Sequence, residues 1–236
     1  MACYQQGLSG AVMSTFGAIL DEALSHHDID TIEARVPTVR SCEALAALPD
    51  DRVLSTMAQR IFSAGFRWSV VQTKWPDIEA AFDTFAVGTV ADYDAERIGA
   101  LRQDRRIIRH PGKIAAIVHN AGVMRDFANE TGPVATWLAE WPDGDVVGLW
   151  HAIAKRFKQM GGASGPRFLR ALGRDTFILT PDVLSTLKRH GVYSGKGTAK
   201  RDQRAIQEHF NAWRSESGRG YASLSMVLAS AAGPRH

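Results

Sequence analysis

Between Asp145 and Asp175 the chain carries Lys155, Arg156, Lys158, Arg167, Arg170 and Arg174 and no acidic residue. These cations flank a glycine-rich segment, Gly161, Gly162 and Gly165, and each flanking run keeps one apolar face: Phe157 and Met160 before it, Phe168, Leu169 and Leu172 after it. The pattern predicts two helices joined by a hairpin, with Pro166 suited to the first turn of the second. Glycine amides at the hairpin, with the positive end of the second helix, make a seat for a phosphate. Lys155, Lys158 and Arg167 would hold the neighbouring phosphates of a nucleic-acid strand. Asp182 follows closely, in a Thr-Pro-Asp turn that predicts the start of a helix over 183–190, and so sets a carboxylate beside the seat. The plain alternative is a helix-turn-helix with a solvated basic face.

A second basic cluster, Arg105, Arg106, Arg109 and Lys113, brackets the turn Pro111-Gly112 and leads into a helix that contains His119 and Asn120. His119 reads as structural or solvated. Upstream, 53–75 predicts a helix, a break at Ala64-Gly65 and another helix from Phe66. Trp68 and Trp75, seven apart, share a face, and Trp68 suits either the core or an aromatic wall for a flat ligand such as a nucleobase. Pro76 opens a further short run.

The elements that must position these groups are helical. Residues 1–9 read as a loose start and 11–25 as a helix, ending near His26-His27, whose adjacent side chains diverge on a helix and do not suit one metal. Residues 131–147 alternate proline, glycine and tryptophan and read as a connection between lobes. Helices over 200–213 and 221–231 close the chain. No run of alternating β-branched residues occurs, so the expected fold is all-α: two helical lobes with a cleft between them and a helix-hairpin-helix motif. The expected division is one helical domain with flanking helices at 1–52 and 190–236 and a core at 53–189, its hairpin at 155–172.

Composition bounds the rest. A chain of 236 residues can bury a real core. The net charge of +3 is too mild to indicate nucleic acid; its clustering does that. Cys3 and Cys42 lie far apart, which argues against a disulfide framework and fits a reducing cytoplasm. No apolar run reaches membrane-spanning length, and no signal pattern opens the chain.

AGFRW at 64–68, IIRHPGKIAAIVHNA at 107–121 and the hairpin-to-Asp182 segment together resemble the 3-methyladenine DNA glycosylase I branch of the helix-hairpin-helix DNA glycosylases. The resemblance covers 53–190. It implies a repair enzyme that removes an alkylated, 3-methyladenine-like base flipped out of double-stranded DNA. It places Trp68, Arg60 and Phe62 at the base pocket, Gly65 and Phe66 as a wedge in the duplex, and Asp182 as the catalytic carboxylate. Gly161, Gly162, Gly165, Arg167, Lys155, Lys158, Arg109 and Lys113 would hold the DNA backbone. No cofactor is implied beyond a monovalent cation at the hairpin carbonyls. The resemblance further implies a monomer, cytoplasmic and associated with the nucleoid. Two departures stand out. The branch has a base-contacting glutamate where this chain has Arg60, which accepts no hydrogen bond. The branch's structural zinc needs a cysteine pair that this chain lacks, so no such site is expected; Val183 and Leu187 stand in the relevant later segment. Strand-cutting relatives use a lysine where this chain has Arg167, permanently protonated, so base removal without strand cleavage is expected. A damage-binding protein without chemistry is the rival expectation, and a helical bundle with no nucleic-acid role a third.

Overall fold

The computed structural model describes the backbone of residues 3–233 and the side chains of 15–233. Cys3's side chain therefore lies outside the described residues. The described residues form fourteen α-helices and no strand: α1 Cys3–His26, α2 Ile29–Glu33, α3 Cys42–Ala46, α4 Asp50–Ser63, α5 Trp68–Ala81, α6 Val87–Ala91, α7 Ala95–Gln103, α8 Pro111–Thr131, α9 Val134–Glu140, α10 Val146–Arg156, α11 Ser164–Leu172, α12 Pro181–Arg189, α13 Lys200–Ser217 and α14 Tyr221–Ser230. The all-α expectation holds. The first helix begins at Cys3 where a loose start was expected, and α5 runs through Pro76 where a new run was expected to open.

The chain forms two compact units. One comprises 1–39, 143–147 and 175–236, the other 40–142 and 148–174. This division differs from the expected one at both ends of the core. Residues 40–52 belong with the second unit because Arg40 donates through Nε to the Leu172 carbonyl (3.1 Å) and the Cys42 thiol to Ala139 O (3.5 Å). The segment 175–189, with Asp182, belongs with the first. There α12 buries Val183 and Leu187, and Thr186 donates to the Leu228 carbonyl of α14 (2.9 Å).

In the first unit α14 is the central element, with α1, α2, α12 and α13 against it. Both oxygens of Asp175 accept from the amides of Tyr221 (2.9 Å) and Ala222 (2.8 Å), an anion at the positive end of α14. Phe177 stacks on Phe210 at 4.2 Å between ring centres, and Trp213 is fully buried.

In the second unit α8 packs on α4, α6, α7 and α9. Its residues Lys113, Ile117, Asn120 and Met124 recur at spacings of four, three and four, so they share one buried face. The apolar side of α4 (Leu54, Met57, Ala58, Ile61, Phe62) is equally buried. Two polar groups on the buried face of α8 have work to do there, and both lead to the site.

Candidate nucleic-acid interface

Asn120 is fully buried, so its amide needs partners. Its oxygen accepts from the Lys158 amide (2.8 Å), and its nitrogen donates to the Lys158 carbonyl (3.0 Å) and to Met57 Sδ (3.3 Å). The start of the turn between α10 and α11 is thus pinned to α8. The next residue, Gln159, takes a left-handed backbone (φ 61°) and donates its side-chain amide to the Gly112 carbonyl (2.8 Å). That bond ties the 155–167 turn to the Pro111-Gly112 turn. The two basic clusters of the sequence are brought together, with Lys155, Lys158, Arg167 and Arg109 all exposed.

The glycines of the turn divide in function. Gly161 and Gly162 are exposed with open space about them, and Gly162 has φ +58°. Gly165 was expected in the hairpin but lies inside α11, buried, where a Cβ would meet the Met160 carbonyl at 3.1 Å. It serves close packing of the turn, which leaves Gly161 and Gly162 as the exposed glycines there. Pro166 falls in the first turn of α11, as its fixed φ suits.

The break between α4 and α5 is the second part. Gly65 adopts φ +78°, which strains any residue with a Cβ. Phe66 and Trp68 are then 44% and 47% exposed, unusual for such large apolar side chains in a chain with a well-filled core. Lys113 holds this turn in place. Its ammonium donates to the carbonyls of Phe62 (2.9 Å) and Ala64 (2.5 Å), capping the negative end of α4, and lies 4.6 Å from the centre of the Phe66 ring. Burial pushes its pKa down. Lys113 was expected at a DNA phosphate; its charge is instead committed to the Gly65 turn, with 5% of the residue exposed. Replacing Lys113 with methionine leaves those carbonyls without a cation. The expected cost is about 2 kcal/mol, a fall of roughly 4–8 °C in Tm for a chain of this size, read by calorimetry.

Phe62 was expected at the base pocket. It is fully buried and packs edge-on against Phe82 at 6.1 Å, a core residue. Arg60 is different. Its guanidinium lies 5.5 Å from the centre of the Trp68 ring, and its Nε is buried with no hydrogen-bond partner. Its pKa is lowered, first by burial and then by the like charge of Arg167. The structure therefore brings Arg60 and Trp68 together with a second guanidinium nearby. Trp75 does not share an aromatic wall with Trp68; it stacks on Phe85 at 5.6 Å. Asp182 lies in the other unit, partly exposed in the first turn of α12, where the Thr180 hydroxyl accepts from the Val183 amide.

Residues 46–161 match the methyladenine glycosylase family model. DNA-3-methyladenine glycosylase 1 of Escherichia coli K12 is 33% identical over 129 residues, which cover 47% of this chain and 69% of that protein. The chain belongs to the methyladenine glycosylase family.

A solved 3-methyladenine DNA glycosylase I, crystallised with 3-methyladenine, shares the fold at 20% identity. Its TM-score is 0.50, and the match covers 64% of this chain and 90% of that one. The segment matched by the family model takes in Arg60, Trp68 and the Pro111-Gly112 turn. It stops before Gly162, Arg167 and Asp182. Asn120, and Lys113 in its buried role, carry a sequence signal: both are polar on a helix face they share with Ile117 and Met124. Among the described residues no group of three or more histidine, cysteine, aspartate or glutamate side chains gathers as a metal site, and no helix is long and apolar enough to cross a membrane.

Proposed function

We propose that this chain is a monofunctional DNA glycosylase. It hydrolyses the N-glycosidic bond of an alkylated purine flipped out of duplex DNA; its E. coli relative is named a DNA-3-methyladenine glycosylase. The observation that carries the reading is the Gly65 turn, which presents Phe66 and Trp68 to solvent on a unit whose two basic turns are tied together. Phe66 enters the gap left in the duplex and Trp68 stacks on the extruded base. The amides of Gly161 and Gly162, with Lys155, Lys158, Arg167 and Arg109, hold phosphates on the strand.

The chemistry follows from charge. An N-alkylated purine is already cationic and leaves without a further proton donor, so the reading calls for no cofactor; the hairpin carbonyls suit at most a monovalent cation. Departure of the base leaves an oxocarbenium-like sugar, which a carboxylate stabilises while orienting water. We assign that role to Asp182 from its place in the first turn of the helix that follows the glycine-rich turn and α11. Arg167 keeps its proton and forms no Schiff base, so the strand stays intact. The protein acts as a monomer on the nucleoid.

A second reading, damage binding without chemistry, draws on the buried cation at residue 60 beside the proposed base site. One experiment separates them. The chain is incubated with duplex oligonucleotides that each carry one alkylated, deaminated or oxidised base, then treated with mild alkali. The expected result is breakage at an alkylated purine only. Tight lesion-dependent binding with no alkali-labile product supports the second reading, and a covalent adduct trapped by borohydride overturns the monofunctional assignment.

A further inference from the structure

The Gly65 turn separates two surfaces of its unit. Residues of a helix advance by about 100° each, so Trp68 and Val70 lie on nearly opposite sides of α5. Arg60 sits on the Trp68 side. On the Val70 side runs a groove of about 500 Å³, lined by Phe66, Val70, Ile107, Ile108, Arg105 and Arg109 among others. Its floor is apolar: Ile107 and Ile108 are almost fully buried and present only a small face. Its rim is cationic and contains no carboxylate. The Lys74 ammonium bonds to the carbonyls of Arg105 (3.2 Å) and Arg106 (2.7 Å) and so fixes the far wall. Three of the six large apolar side chains that are exposed among the described residues fall at 66, 68 and 70. Apolar exposure is thus concentrated on both flanks of this one turn.

We infer that the groove receives the unpaired nucleotide of the undamaged strand, the one left facing the gap when the lesion is extruded. The inference rests on the glycosylase reading above. Extrusion breaks one base pair and leaves two bases without partners. Phe66 fills the gap and also forms one wall of the groove, so a base displaced by its ring meets Val70, Ile107 and Ile108 directly. Those groups offer an apolar bed but no hydrogen-bond donors from their side chains, which suits a partner base of any identity. Arg105 and Arg109 meet the attached phosphate. The damaged base and its former partner then lie on opposite sides of α5.

The test uses the whole chain and a duplex with a tetrahydrofuran abasic analogue in one strand. 5-Iodouracil stands either opposite the analogue or two positions away. Preferential binding to this duplex over the intact one is measured first, then the complex is irradiated and cross-linked peptides are identified by mass spectrometry. Cross-links to Phe66, or to His110, which also lines the groove, are expected only for the opposite position. Val70 is 43% exposed, so Val70→Asp folds, and its carboxylate is expected to lower the cross-link yield about tenfold. Preferential binding with cross-links elsewhere, Trp68 included, or a yield unchanged in Val70→Asp, overturns this inference alone. Absence of preferential binding, together with no base release from any alkylated duplex, overturns the glycosylase reading with it.

Discussion

Replacing Asp182 with asparagine is expected to lower base release by about 10²–10³-fold while leaving affinity for damaged duplex within a factor of about two. Asparagine keeps the shape and one acceptor oxygen but removes the negative charge that stabilises the developing sugar cation. The phosphate contacts proposed at Gly161, Gly162 and the basic side chains do not involve this residue, so binding survives. The cap of α12 is made by the Thr180 hydroxyl, and a melting temperature taken beside the rate separates loss of chemistry from loss of fold. Single-turnover release from an oligonucleotide with one alkylated purine, set beside a binding isotherm on the abasic analogue, reads both quantities. A rate unchanged in Asp182→Asn would move the catalytic role to another residue and leave the family assignment standing.

The second large effect is expected at Arg60, and its sign is a gain. As the protein stands, a guanidinium with a buried, unpartnered Nε lies beside Trp68, with Arg167 close enough to lower its pKa. A cationic base stacked on Trp68 meets two like charges. Arg60→Glu replaces one of them with an acceptor, turns repulsion from Arg167 into attraction, and removes the stranded donor. Each tenfold in rate corresponds to about 1.4 kcal/mol, which is modest for a change of charge in a part-buried setting. Release of a cationic N-alkylated purine should therefore rise at least about tenfold. Arg60→Gln should fall between the two. Stability is expected to fall by about 1 kcal/mol, because residue 60 lies in the last turn of α4, where a cation suits the negative helix end, and its contact with the Trp68 ring is lost. An unchanged rate in Arg60→Glu would mean that residue 60 does not face the base.

Several elements of this site were open to reading from residue types alone, and the exceptions have physical causes. The two helices around the glycine-rich turn follow from apolar periodicity on either side of Pro166. The α4–α5 break follows from Gly65, since little else in 53–75 interrupts a helix. Lys113 was misjudged because a cation next to a Pro-Gly turn suggests exposure. Its spacing from Ile117, Asn120 and Met124 already puts it on the inner face, and what it meets there, the carbonyl end of α4, depends on tertiary packing. Phe62 was drawn to the pocket by its closeness to the AGFRW motif, although its spacing from Leu54, Ala58 and Ile61 marks it as core. The side of the division on which Asp182 falls depends on which neighbour covers Val183 and Leu187. An amphipathic pattern shows that a face is buried but does not name its partner.

The bonds from Asn120 to Lys158 and from Gln159 to Gly112 have a consequence for speed of association. Two turns that would otherwise wander independently are set at one spacing while the chain folds, so the loss of their freedom belongs to folding rather than to docking. A duplex thus meets a prepared pair of contacts and has little loop ordering left to drive. Cutting either tether would leave the charge of the surface unchanged, yet slow capture and hasten escape.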